Sequence, residues 1–147
     1  MIRTDKRMRL CTALLICNLI FIWGNSLLPG SISGAISDAV KSLLENILPG
    51  GEGPDSSGGF LLRKAAHFTE FAVLGMLFAW LFGMLKRKPF CPFACGAAAA
   101  CVDETIQRFI PGRGPSIRDV CIDSCGVLTG MLLIYLGHTY FKKRTAK

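Results

Sequence analysis

Charged residues are scarce in this 147-residue sequence, where they make up 18% of the chain against 51% hydrophobic residues. Soluble globular domains carry about 25% charged residues, so the composition excludes an ordinary soluble domain. Long polar stretches are missing too. The longest piece between apolar stretches, residues 29–59, is too short and too rich in glycine to build its own hydrophobic core. A separate soluble catalytic domain is therefore excluded.

Loop cysteines and nucleophile motifs are also lacking. All seven cysteines lie within or at the edge of apolar stretches, which excludes the disulfide framework of a small secreted protein. The pairs Cys91/Cys95 and Cys121/Cys125 have a spacing that suits soft metals, although packing as small apolar residues is the favoured interpretation. No pattern resembling a serine or cysteine nucleophile motif supports covalent catalysis.

Four apolar stretches dominate what is present, at residues 10–28, 60–85, 90–110 and 120–141. Each is close to the roughly 20 residues that a helix needs to cross a bilayer. The sequence therefore predicts an all-α polytopic membrane protein, one domain over residues 1–147 that forms a bundle of four transmembrane helices. A signal peptide is the alternative for the first stretch, but its apolar character runs on too far and no close small-x-small cleavage site follows.

Positive charges lie at the ends of these stretches. The net charge is +7, and its placement indicates contact with the lipid bilayer rather than with nucleic acid. The N-terminal segment, the turn after the second stretch and the C-terminal tail hold 11 of the 17 Lys and Arg residues. The positive-inside rule places these segments in the cytoplasm. Both termini are then cytoplasmic, and the loops at 29–59 and 111–119 are extracytoplasmic.

The first of these loops starts with an amphipathic segment. Apolar residues recur at helical spacing from Ile32 to Ile47, with charged and polar residues between them. This pattern predicts a short interfacial helix between the first and second spans. Residues 49–59 are dominated by Gly, Pro and Ser, a composition that predicts a mobile linker.

Acidic side chains interrupt three of the four stretches. Charge inside a bilayer is unfavourable unless it is paired or solvated, so such positions are candidates for a functional site. At about 1.5 Å rise per residue, Glu70, Asp103 and Asp123 reach one layer just below the outer headgroups. The candidate site residues are Lys64, His67 and Glu70 on the second span, Asp103, Glu104 and Gln107 on the third, Arg113 in the loop, and Asp119 and Asp123 on the fourth.

A stripe of small residues continues the polar face of the fourth span. Asp119, Asp123, Gly126 and Gly130 follow the i, i+4, i+7, i+11 spacing of one helix face. The glycines allow another helix to approach closely. That helix belongs either to the same chain or to a second copy, so the sequence is compatible with a monomer and with a dimer.

Three motifs in chain order resemble those of the VanZ-like family of small membrane proteins. The resemblance covers about residues 9–141, and the Asn25-Ser26 pair after the first span is similar to the family's opening. The motifs are Lys64-x-x-His67-Phe68-x-Glu70-Phe71, then Asp103-Glu104-x-x-Gln107-x-Phe109-x-Pro111-Gly112-Arg113, and then Asp119-x-x-x-Asp123-x-x-Gly126.

The resemblance implies a location in the bacterial cell membrane and a role in the cell envelope. The family is named after an accessory protein linked to resistance against the glycopeptide antibiotic teicoplanin. This sequence departs from the family at two positions, since Phe71 stands where the family often has Tyr and Asp123 stands where it often has Asn.

Three functions are compatible with the polar layer. The first is an outward-facing pocket for the headgroup of a lipid or another amphiphile, in which Lys64 and Arg113 hold a phosphate or carboxylate above an acidic floor. The second is a membrane enzyme acting on a lipid or lipid-linked envelope substrate, with His67 or Glu70 as general base and the acids of the third span as partners. The carboxylate oxygens of such an active site suit a divalent cation such as Mg²⁺ or Ca²⁺.

The third function is ion-coupled transport, since buried carboxylates and histidine are suitable proton relays. A network of paired charges that only stabilises the helix bundle is the structural alternative to all three.

Overall fold

A computed structural model describes residues 2–47 and 57–145 of the chain. These residues form five α-helices and contain no strand, which confirms the predicted all-α class. The helices are α1 (Ile2–Ser26), α2 (Gly30–Ile47), α3 (Ser57–Met84), α4 (Phe90–Gln107) and α5 (Ile117–Thr145).

Two predicted segment boundaries change. The linker predicted at 49–59 lies mostly outside the described residues, and its last three residues already belong to α3. The loop predicted at 111–119 is a connection from 108 to 116, because α4 ends earlier and α5 begins earlier than the apolar stretches suggest. Ser116 explains the early start of α5: its Oγ accepts a hydrogen bond from the amide of Arg118 at 3.2 Å, as an N-cap side chain does.

Within the described residues, three helices are long and apolar enough to cross a membrane: Lys6–Ser26, Leu61–Met84 and Ile117–Arg144. They correspond to the first, second and fourth predicted spans. The third predicted span, at 90–110, is not among them. Its helix α4 has 18 residues, and Asp103, Glu104 and Gln107 make its last turns polar. The span at 90–110, and with it the total of four spans, therefore stays a prediction. The interfacial position of α2 also stays a prediction.

α3 is the central helix and packs against each of the other four, most extensively against α5. The small residues of α5 make this interface possible. A Cβ on Gly126 would meet the carbonyl oxygen of Phe68, and a Cβ on Gly130 would overlap that of Ala72. The glycine stripe thus faces α3 of the same chain.

Apart from Cys11 of α1, the fully buried apolar side chains of the described residues lie about one helical turn from the polar residues. They are Ile22 of α1, Phe71 and Leu74 of α3, Ala100 of α4 and Val127 of α5. The polar residues accordingly lie at one end of the bundle, where α1 and α4 end and α3 and α5 begin. We call this region, formed by residues 25–30, 63–70, 103–107 and 111–123, the polar end.

Candidate functional site

Asp103 of α4 is completely buried at the polar end, with both carboxylate oxygens hydrogen-bonded. Ser26 Oγ donates to Oδ1 at 2.6 Å, and Gln107 Nε2 donates to Oδ2 at 2.8 Å. Gln107 lies one turn after Asp103 on the same helix face, whereas Ser26 comes from the last residue of α1. Two helices therefore fix the orientation of this carboxylate.

Glu70 of α3 contacts the same end of α1. Its Oε1 accepts a hydrogen bond from Asn25 Nδ2 at 3.0 Å. Its Oε2 is buried without a hydrogen-bond partner among the described residues. Asn25 and Ser26 thus bind one carboxylate each, on two different helices.

Lys64 and Asp119 form an ion pair between α3 and α5. Their side chains are 16% and 15% exposed, so the pair lies close to the surface of the bundle. Both residues are predicted ligand-binding groups, and in the structure they bind each other.

Glu104 connects α4 to the start of α5. Its side chain is 6% exposed, and its Oε2 accepts a hydrogen bond from the amide of Ser116 at 2.9 Å. Because Ser116 is the N-cap of α5, this bond positions the helix that carries Asp119 and Asp123.

Arg113 binds the end of α1 through backbone carbonyls. Its Nε donates to the oxygen of Leu28 at 3.0 Å and its Nη2 to that of Asn25 at 2.8 Å. Burial, followed by the nearby positive charge of Arg63, lowers the pKa of Arg113, while nearby carboxylates oppose this change. The guanidinium still remains charged. Its predicted role in holding an anion stays a prediction.

A small cavity of about 10 Å³ lies at the polar end, between side chains of α3, α4 and α5. This volume is close to that of one water-sized sphere, so the cavity admits a single water molecule or ion and no larger group. Its lining combines side chains of both charges with one apolar residue: Arg63, Lys64, His67, Glu104, Gln107, Asp119, Ile122 and Asp123.

His67, Asp103 and Asp123 come together from α3, α4 and α5. One nitrogen or oxygen atom of each lies within 4.8 Å of the corresponding atoms of the other two. Asp123 is 2% exposed, and its Oδ2 has no hydrogen-bond partner among the described residues. The Nδ1 of His67 is likewise buried without a partner.

The buried and half-buried side chains of the polar end carry more negative than positive charge. Five carboxylates lie there against three cations, which leaves two uncompensated negative charges when all are ionised. The carboxylates are Glu70, Asp103, Glu104, Asp119 and Asp123, and the cations are Arg63, Lys64 and Arg113.

Asn25, Ser26, Arg63 and Ile122 contribute to this region and are not among the predicted site residues. The first two had a sequence signal, because they form the Asn-Ser pair of the family's opening. Arg63 is adjacent to a predicted site residue, and a basic residue at a span end is usually explained by contact with headgroups. Ile122 is one apolar residue among many and carries no such signal.

Fold and site together define a small helical membrane protein with charged side chains buried at one end of its bundle. The family model described as VanZ/LLP1 matches residues 10–138. The chain therefore belongs to the VanZ/LLP1 family, which confirms the resemblance seen in the three motifs. No curated protein and no solved structure matches it.

Proposed function

We propose that this protein acts at the outer face of the bacterial cell membrane, where the polar end binds the headgroup of an anionic lipid or another amphiphile. In this arrangement both termini are cytoplasmic and α4 is a short fourth span. Two observations support that role for α4: it packs against α1, α3 and α5, and Lys86, Arg87 and Lys88 precede it.

The cavity is the observation that carries this proposal. Arg63 and Lys64 line it and are half-buried, and guanidinium and ammonium groups in general form charge-assisted hydrogen bonds with phosphate or carboxylate oxygens. Because the cavity holds only about one water molecule, a headgroup binds at its rim through one anionic group.

Binding of a short-chain phosphatidic acid to the full chain in zwitterionic micelles tests the proposal. Arg63→Gln should weaken binding about tenfold, since one charge-assisted hydrogen bond contributes about 1.5 kcal/mol. The control is Arg108→Gln, which removes the same charge from an exposed position near the polar end that does not line the cavity. Equal loss in both variants would show a nonspecific effect of charge and would contradict the proposal.

Antibiotic susceptibility tests the envelope role. Bacteria that express the protein should tolerate more teicoplanin than cells carrying an empty vector, and Arg63→Gln at matched membrane levels should remove the difference. A glycopeptide without a fatty-acyl tail is the control, because headgroup binding at the outer leaflet affects an antibiotic that inserts into that leaflet. Tolerance that is equal for both antibiotics would argue against this role.

A membrane enzyme acting on a lipid or lipid-linked envelope substrate is the second candidate. The observation in its favour is His67, which lines the cavity together with Asp123 and whose Nδ1 is buried without a partner among the described residues. A neutral imidazole in this position can accept a proton as a general base. His67→Ala should then remove protection against teicoplanin while phosphatidic acid still binds. Ion-coupled transport stays a prediction with no specific contact in its favour.

A further inference from the structure

His67, Asp103 and Asp123 place three potential metal-ligand groups close together at the polar end. Their ligand atoms lie within 4.8 Å of one another. Tetrahedral nitrogen and oxygen ligands at about 2.1 Å from a metal are about 3.4 Å apart. Side-chain movements of about 1 Å therefore suffice to bring all three groups into coordination distance.

The unpartnered atoms point to a ligand independently of this geometry. A buried polar atom without a hydrogen bond is unfavourable, and a buried carboxylate without compensation is more so. Asp123 is 2% exposed with its Oδ2 unpartnered, and the Nδ1 of His67 is buried without a partner among the described residues. A cation between these two side chains would satisfy both.

Asp103 is held in the manner of a ligating carboxylate. Hydrogen bonds from Ser26 and Gln107 fix its orientation, and outer partners of this kind are usual around metal ligands. Each carboxylate oxygen still has a second lone pair available for coordination. Ser26 and Gln107 are accordingly positioning residues.

We propose that His67, Asp103 and Asp123 bind one divalent transition-metal ion, Zn²⁺ or Mn²⁺. The imidazole nitrogen favours Zn²⁺, and the two carboxylates also suit Mn²⁺, whereas Mg²⁺ and Ca²⁺ prefer oxygen ligands alone. The ion would neutralise the two excess negative charges that the buried and half-buried side chains of the polar end carry when all are ionised. The adjacent cavity of about 10 Å³ accepts one water molecule as a further ligand. The site does not depend on headgroup binding, because none of its ligands is a rim cation.

Metal titration of the full chain tests this inference. The protein is purified in detergent, treated with a chelator, and titrated with Zn²⁺ and with Mn²⁺ alone in a calorimeter, while elemental analysis gives the stoichiometry. One ion per chain is expected. Asp123→Asn and His67→Ala should each weaken binding about 100-fold or more, and Ser26→Ala about tenfold, because loss of an outer partner weakens metal binding about 10- to 100-fold.

Glu70→Gln is the matched control. It removes a carboxylate from the same end of α3, but Glu70 binds Asn25 and is not one of the three ligands. Its effect should stay below about tenfold. Arg63→Gln, which tests headgroup binding, should not weaken metal binding, so a failure of either proposal can be recognised separately.

Thermal unfolding distinguishes loss of the site from loss of the fold. Without metal, Asp123→Asn should melt at or above the wild-type temperature, since it removes an uncompensated buried charge. With Zn²⁺ or Mn²⁺, wild type should melt at a higher temperature because the ion joins three helices, whereas Asp123→Asn should not. Absence of stoichiometric binding to wild type, or equal binding to wild type and Asp123→Asn, would overturn the inference.

Discussion

Arg113 joins the connection between α4 and α5 to the end of α1 through two backbone carbonyls. The last carbonyls of a helix lack partners within the helix and carry partial negative charge. The planar guanidinium presents several donors in a fixed geometry, so one side chain can bind both Leu28 and Asn25 at once. Because Asn25 also binds Glu70, Arg113 stabilises the region that positions the acidic side chains.

Arg113→Lys should lower the thermal stability of the protein despite keeping the charge. A lysine ammonium lacks the fork that binds both carbonyls, and a hydrogen bond to a charged group contributes about 1.5 to 3 kcal/mol. Circular dichroism during heating in detergent measures the effect. The control is Arg108→Lys at an exposed position, which should change stability by less than about 0.5 kcal/mol. Equal melting temperatures for both variants would contradict the assigned role.

Residue-scale contacts were the least predictable part of the site. Spacing places Asp103 and Gln107 on one face of α4, and they do hydrogen-bond to each other. The partners of Arg113 had no comparable signal, because every residue carries a carbonyl and side-chain patterns do not identify which one is bound. Periodicity likewise does not reveal that Ser26 reaches Asp103 across 77 residues.

At the scale of helices, the interface between α3 and α5 depends on close backbone approach. Gly126 and Gly130 of α5 face carbonyl groups of α3, and Gly75 of α3 faces the backbone of Val127 in return. This approach brings His67 and Lys64 of α3 next to Asp123 and Asp119 of α5. Helix packing without large side chains therefore determines the geometry of the polar end.

Gly130→Ala should destabilise the bundle, by about 1 to 3 kcal/mol, because the new Cβ would overlap the carbonyl oxygen of Ala72. Gly137→Ala is the matched control on the same helix, where a Cβ meets nothing within 4 Å. Alanine is the better helix former by about 1 kcal/mol, so the control should be neutral or stabilising. Thermal unfolding in detergent compares the two variants. Gly130→Ala should lower the melting temperature, whereas Gly137→Ala should leave it unchanged or raise it. A higher melting temperature for Gly130→Ala would refute this packing.

The helices themselves were largely predictable from apolar stretches and turn residues, but the neighbour of the glycine stripe was not. A stripe of glycines on one helix indicates that another helix approaches closely, but it does not identify that helix. The structure provides α3 as that neighbour. The position of the connection after α4 is also a packing result, since Gly112 has a φ of +74° and lies against Gly30 at the start of α2.

At the scale of the whole molecule, the charges of the buried and half-buried side chains are concentrated at one end. The polar end unites the ends of α1 and α4 with the beginnings of α3 and α5, while apolar residues fill the next layer. Such an arrangement places all candidate ligands at one membrane surface only if neighbouring helices run in alternating directions. Whether α4 crosses the membrane therefore decides whether the polar end lies on the side of the membrane opposite to both termini.

Epitope tags in the full chain test this topology, with α4 as a span. Tags are placed at both termini, after Lys88 and after Gly114, which are exposed residues in the two connections that flank α4. If α4 crosses the membrane, an antibody should reach the Gly114 tag in intact spheroplasts. It should reach the other three tags only after permeabilisation, as the positive-inside rule predicts. If α4 does not cross, Lys88 and Gly114 would be accessible from the same side and the termini from opposite sides, leaving the three candidate spans alone.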